Sequence, residues 1–172
     1  MAESNAQASA ATNAKQENLV ITRVFDAPRG LAWKAWTEPE HFRRWWGPKG
    51  FTAPRCTIDL RPGGPIHFCM RSPEGQATWS AGVVREAVEP SLLVSTDYFA
   101  DADGNLVPPK HYGLSADFPS EVVITVTFEE YEAGKTKLTL RQTIPASAAE
   151  SAGAQQGWLE SLDRLADYLA TA

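Results

Sequence analysis

Hydrophobic and polar residues alternate, cluster and alternate again along this chain, and each change of period marks a change of element. In "LVITRVF", Leu19, Ile21 and Phe25 share one parity among β-branched neighbours, which predicts a first strand. The period then lengthens in "DAPRGLAWKAWTEPEHFRRWW", where Leu31 and Ala35 face one way with Trp33 and Trp36 close by. Asp26 is suited to cap a helix there, with Pro28 in its first turn. Thr37 and Glu40 have the spacing of a capping box, predicting a second short helix that Gly47-Pro48 stops near Trp46.

Beyond this point the pattern predicts strands separated by turn signals. "RCTIDL" and "IHFCM" flank Pro62-Gly63-Gly64-Pro65, a long strand runs from about Thr78 to Val88, and Glu89-Pro90 breaks it. "LLVSTDYF" follows, and "EVVITVTFEEY" pairs with "KTKLTLRQT" through Glu132-Ala133-Gly134. Residues 101–119 carry no convincing period, and a loop of that length in a compact domain is expected to be either a functional lid or partly disordered. From near Ser151 the period is helical again: Trp158, Leu162, Leu165 and Leu169 form one apolar stripe. The order is strand, two short helices, six strands and one long amphipathic helix. It predicts an α+β fold in which a curved antiparallel sheet of about seven strands wraps the last helix around an internal cavity.

Composition narrows the picture. With 172 residues the chain is long enough for one buried core and short for two. Residues 1–17 are Ala, Ser, Asn and Gln with few apolar groups, so a flexible tail is expected before a single domain at 18–172. A net charge of -5 argues against nucleic acid as a partner. No apolar run is long enough to span a bilayer and no secretory pattern opens the chain, so integral membrane association is not expected and the cytoplasm is the expected location. The two cysteines, Cys56 and Cys69, are too few for a disulfide framework.

The run "ITRVFDAPRGLAWKAWTEPEHFRRWWGPKGF", then "DLRPGG" and "GWLESLDRLADYL", resembles the SRPBCC or START-like superfamily. More narrowly it is similar to the branch named for the C-terminal domain of the activator of heat-shock protein 90 ATPase. The resemblance implies a helix-grip fold enclosing a cavity for a small apolar or amphipathic ligand. It also implies two alternatives: a regulator of a heat-shock 90 chaperone, in keeping with a stress-response role, and a cyclase or aromatase working in the same cavity. In the named activator this domain follows a separate N-terminal domain, whereas a short polar tail precedes the first strand here, so the binding role is preferred.

Four of the six tryptophans fall within residues 33–46. Aromatic residues at helical spacing are core first, so Trp33 and Trp36 are expected to be packing residues. Adjacent helical residues point about 100° apart, so only one of Trp45 and Trp46 can face a cavity. Trp46 is carried as a cavity candidate with Phe68, Met70, Trp79, Tyr98, Tyr112, Trp158 and Leu162. A two-residue turn at Gly63-Gly64 would set Asp59 and Arg61 on the face of Phe68 and Met70, making Arg61 a candidate for orienting a ligand. The same register would gather Cys56, His67 and Cys69, but they lack the spacing of a zinc site, and no metal or other cofactor is expected. "DADGN" lacks the glycine and glutamate positions of a calcium loop. His41, His67 and His111 have no recognisable carboxylate partner, so no catalytic residue is assigned. The sheet edge leaves a homodimer open.

Overall fold

Burial alternates along the sheet with the period of two that the sequence announced. In the sixth strand Val122, Ile124, Val126 and Phe128 are buried between half-buried neighbours, and Thr136, Leu138, Leu140 and Gln142 do the same in the seventh. Such alternation belongs to a sheet with one covered face. The computed structural model describes residues 19–114, 118–145, 148 and 153–172. The expected tail, part of the 101–119 loop and the expected helix start near Ser151 lie outside the described residues.

The elements are β1 (Leu19–Phe25), α1 (Arg29–Thr37), α2 (Pro39–Trp45), β2 (Thr52–Ile58), β3 (Pro65–Arg71), β4 (Ala77–Val88), β5 (Leu92–Ala100), β6 (Val122–Tyr131), β7 (Lys135–Gln142) and α3 (Ala154–Thr171). The seven strands form one antiparallel sheet in the order β1-β7-β6-β5-β4-β3-β2. Their inner face packs on the stripe of α3, where Trp158, Leu162, Leu165 and Leu169 are all buried. An Arg23–Asp163 ion pair at 2.5 Å ties β1 to this helix.

Two helix starts differ from expectation. Pro28, not Asp26, is the N-cap of α1, and it makes no side-chain cap bond. Thr37 is the last residue of α1, and its hydroxyl donates to the Trp33 carbonyl at 2.8 Å, one turn back. It is therefore unavailable as a cap, and α2 begins at Pro39, whose missing N–H leaves no donor unpaired in the first turn.

The short helices close one end of the sheet with tryptophan. Trp33 and Trp45 are almost fully buried, Trp33 meets Phe128 edge-on at 5.5 Å, and the Trp45 indole N–H donates to the Ala35 carbonyl at 2.9 Å. The chain leaving α2 is held from the opposite side: Arg164 of α3 donates to the carbonyls of Trp46, Gly47 and Pro48 at 3.2, 2.9 and 3.2 Å. A guanidinium suits these carbonyls because it is a fixed fork of N–H donors with no acceptor of its own.

The β4–β5 ladder pairs Ala81 with Tyr98 and Val84 with Ser95, but skips Gly82 and Val83 between them. There the Val83 N–H turns to the Thr96 hydroxyl at 3.0 Å, and a Cβ on Gly82 would lie 1.9 Å from the Thr96 carbonyl oxygen. Glycine is required at this close approach of two backbones. Gly82→Ala should cost about 3 kcal/mol or more, since backbone atoms must separate. Gly30→Ala, in α1 with nothing within 4 Å of the new Cβ, should instead stabilise by about 0.4–1 kcal/mol. Urea unfolding of both variants checks the contrast.

Candidate functional site

The stripe of α3 and the ends of α1 and α2 do not fill the concave face, and the remaining space is a partly open cavity of about 50 Å³. Trp36 reaches it from α1, Phe42 and Trp46 from the α2 segment, and Trp158 from α3. The sheet contributes Ile58, Ile66, Phe68, Val84, Leu93 and Ile124, with a polar stretch at Ser95, Thr96 and Asp97. Its aromatic walls interlock: Trp46 meets Trp158 edge-on at 4.9 Å and Phe68 at 5.3 Å, while Trp36 stacks on Trp158 at 6.2 Å. Drug-sized sites usually occupy about 300–1,000 Å³, so this space takes a very small molecule or one end of a larger one.

Two polar groups stand out against these walls. The Trp46 indole N–H is buried without a hydrogen-bond partner among the described residues. By contrast, the Trp158 indole N–H donates to the Gln142 side-chain oxygen at 3.1 Å. Asp97 borders the cavity and has no ion-pair partner among the described residues. Burial alone pushes its carboxyl up from 3.8 to about 7, because no neighbouring cation offsets the loss of solvent.

Of the residues singled out from the sequence, Trp46, Phe68 and Trp158 line the cavity. Trp36 does so too, besides packing as expected. Of the adjacent pair, Trp46 reaches the cavity and Trp45 lies in the core. Leu162 is fully buried beneath the helix instead of facing the cavity. Met70 shares the parity of Phe68 but lies past the cavity's end, where a Cβ on Gly47 would be 3.4 Å from its sulfur. Trp79 and Tyr98 have the opposite parity, paired with Cys69 and Ala81. Trp79 stacks on His67 at 4.8 Å on the outer side of the sheet.

The described part of the 101–119 loop is strapped to the sheet. The Tyr112 hydroxyl donates to the Ala100 carbonyl at 2.5 Å and accepts the Trp79 N–H at 3.2 Å, and His67 donates to the Asp101 carbonyl at 3.1 Å. Tyr112 therefore anchors a loop and does not line the cavity, and no described residue of this loop borders it.

Arg61 is also displaced. The β2–β3 connection is longer than two residues, and the register sets Cys56 opposite Phe68 and Ile58 opposite Ile66. Residues 59–61 leave the sheet at this turn, and Arg61 pairs with Asp59 at 2.8 Å with 69% of its side chain exposed. The same register puts Cys56 on the inner face, apart from His67 and Cys69, so the three do not converge. Burial pushes the Cys56 thiol up to about 12, too high for a thiolate at neutral pH.

Sequence reasoning passed over Asp97, although a parity signal was there: Leu93, Ser95, Asp97 and Phe99 alternate along "LLVSTDYF". Nothing local says that the side holding the aspartate is the covered one.

A curved antiparallel sheet gripping a C-terminal helix over a cavity defines the helix-grip class. Within that class, residues 26–170 match the family described as activator of Hsp90 ATPase homolog 1-like protein, and the chain belongs to it. Solved structures agree on the fold. A protein from Arthrobacter aurescens is 24% identical with a TM-score of 0.77, covering 91% of this chain and 88% of its own. One from Mycobacterium smegmatis is 27% identical with a TM-score of 0.70 over 90% and 88%. One from Silicibacter pomeroyi is 23% identical with a TM-score of 0.71 over 90% and 99%. No functionally curated protein matches the chain. Among the described residues no helix is long and apolar enough to cross a membrane.

The Asp97 carboxyl makes stability depend on pH in a definite direction. Its folded value lies above its unfolded one, so the native state holds the extra proton between pH 3.8 and about 7. The associated stability is fully present below the unfolded value, is lost as pH rises through this window, and amounts to about 4 kcal/mol at most. Asp97→Asn should remove that loss. Wild type and variant compared by urea unfolding at pH 4 and pH 8 should show the variant gaining relative stability at the higher pH.

Proposed function

We propose that this protein binds a small hydrophobic or amphipathic molecule in the cavity between the sheet and α3. The observation that carries this reading is the partly open space walled by Trp36, Phe42, Trp46, Phe68 and Trp158, with a short polar stretch on β5. Mostly apolar walls with a few polar groups are the usual character of small-molecule sites. The size of the space favours a compact ligand, or one whose apolar body extends toward the opening.

The family's name supports a second reading, regulation of a heat-shock 90 chaperone's ATPase, with a role in stress response. This reading needs a protein surface and makes no use of the cavity. It is tested with the host's heat-shock 90 protein: raised ATP turnover supports it, and unchanged turnover at excess of this chain removes it.

The binding reading makes its own prediction. A ligand supplied at a hundredfold excess over its Kd should stabilise the fold by about 2.7 kcal/mol, seen as a rise of roughly 5–10 °C in Tm. Native mass spectrometry of protein purified from its host should show the same class of molecule as a stoichiometric passenger. A bare protein, together with no thermal shift across a broad set of lipids and polyketide-like compounds, would count decisively against binding.

A further inference from the structure

The apolar cavity has a donor and an acid that find no partner among the described residues, and this bears on what fills it. We propose that Trp46 and Asp97 are its recognition pair, selecting a small apolar molecule with one hydroxyl that accepts from the Trp46 indole N–H and donates to the Asp97 carboxyl. The inference rests on the binding reading above and adds the chemical class of the ligand.

Both residues border the same space. The indole N–H is buried and has no partner among the described residues, although the equivalent groups of Trp45 and Trp158 each have an acceptor. A buried donor without a partner is uncommon enough to need an explanation. Asp97 likewise has no ion-pair partner among the described residues, and it follows Thr96, whose carbonyl lies in tight backbone contact with Gly82. Its position is therefore set by the sheet and not by an ion pair.

The pair discriminates between ligand classes. An ammonium group would suit the aromatic walls and the carboxylate, but it has no lone pair for the Trp46 N–H. A carboxylate ligand could accept from Trp46 but would be repelled by ionised Asp97. An unsubstituted hydrocarbon would fill the walls and leave both polar groups unpaired. A hydroxyl is donor and acceptor at once and can satisfy both.

Phenol, toluene and benzylamine test this, because they present similar rings with a hydroxyl, a methyl or an ammonium-bearing arm. Each is titrated into the protein while the six tryptophan indole N–H signals are followed by two-dimensional NMR. Trp46 is assigned by the signal that Trp46→Phe removes. Phenol should bind roughly tenfold more tightly than toluene, the effect of a satisfied buried hydrogen bond, and should move the Trp46 signal most. Asp97→Leu and Trp46→Phe should each abolish that preference while still binding toluene, which also shows that the variants fold. Equal binding of phenol and toluene with an unmoved Trp46 signal would overturn the recognition pair and leave the binding reading standing. Preference for benzylamine would also overturn it. Failure of all three to bind wild type would likewise overturn the recognition pair and leave the binding reading to the broader set of ligands above.

Discussion

A strongly curved sheet has more concave surface than one helix can cover, and most of this structure follows from that mismatch. Helix α3 buries Trp158, Leu162, Leu165 and Leu169 along the middle of the face. The rest falls to α1 and α2, which are too short to supply a long apolar stripe. Tryptophan answers this shortage, since each indole buries more area than any other side chain. Trp33, Trp36 and Trp45 complete the core at that end, and the space they leave is the cavity.

The aromatic plug is held in place by polar contacts at its margins. Arg164 reaches from α3 to three successive carbonyls after α2, so the segment carrying Trp46 is fastened to the helix opposite. Trp45 is fixed by its bond to Ala35 and Trp158 by its bond to Gln142. These bonds orient the rings, whereas the apolar burial supplies the larger share of the stabilisation. Trp46 is the exception, placed by its neighbours but with its own N–H unanswered among the described residues.

On the sheet side, the close approach of β4 and β5 at Gly82 sets the geometry. With no room for a Cβ there, the two strands meet backbone to backbone and Asp97 remains beside the cavity without a facing side chain from Gly82. Desolvation pushes a carboxyl in such surroundings up to about 7. Together with the Trp46 N–H, which has no partner among the described residues, this carboxyl gives the apolar cavity polar groups at two points of its wall.

Much of this was legible in the chain. Strand alternation, the punctuation by Pro and Gly, and the stripe of α3 are local signals, and the elements appear close to where those signals placed them. The motif progression through the tryptophans was enough to identify the fold class. Facing was not legible. Trp79 and Tyr98 are as apolar as Phe68, yet they lie on the outer side because parity depends on the pairing of β3, β4 and β5. Arg61 was misplaced by a turn longer than two residues, which shifted the register of β2. The choice of Trp46 over Trp45, and the placing of Asp97 beside the cavity, were decided by partners distant in sequence. Periodicity reports which residues can share a face; only the packing of distant elements decides which face is covered, and what is left unfilled beneath it.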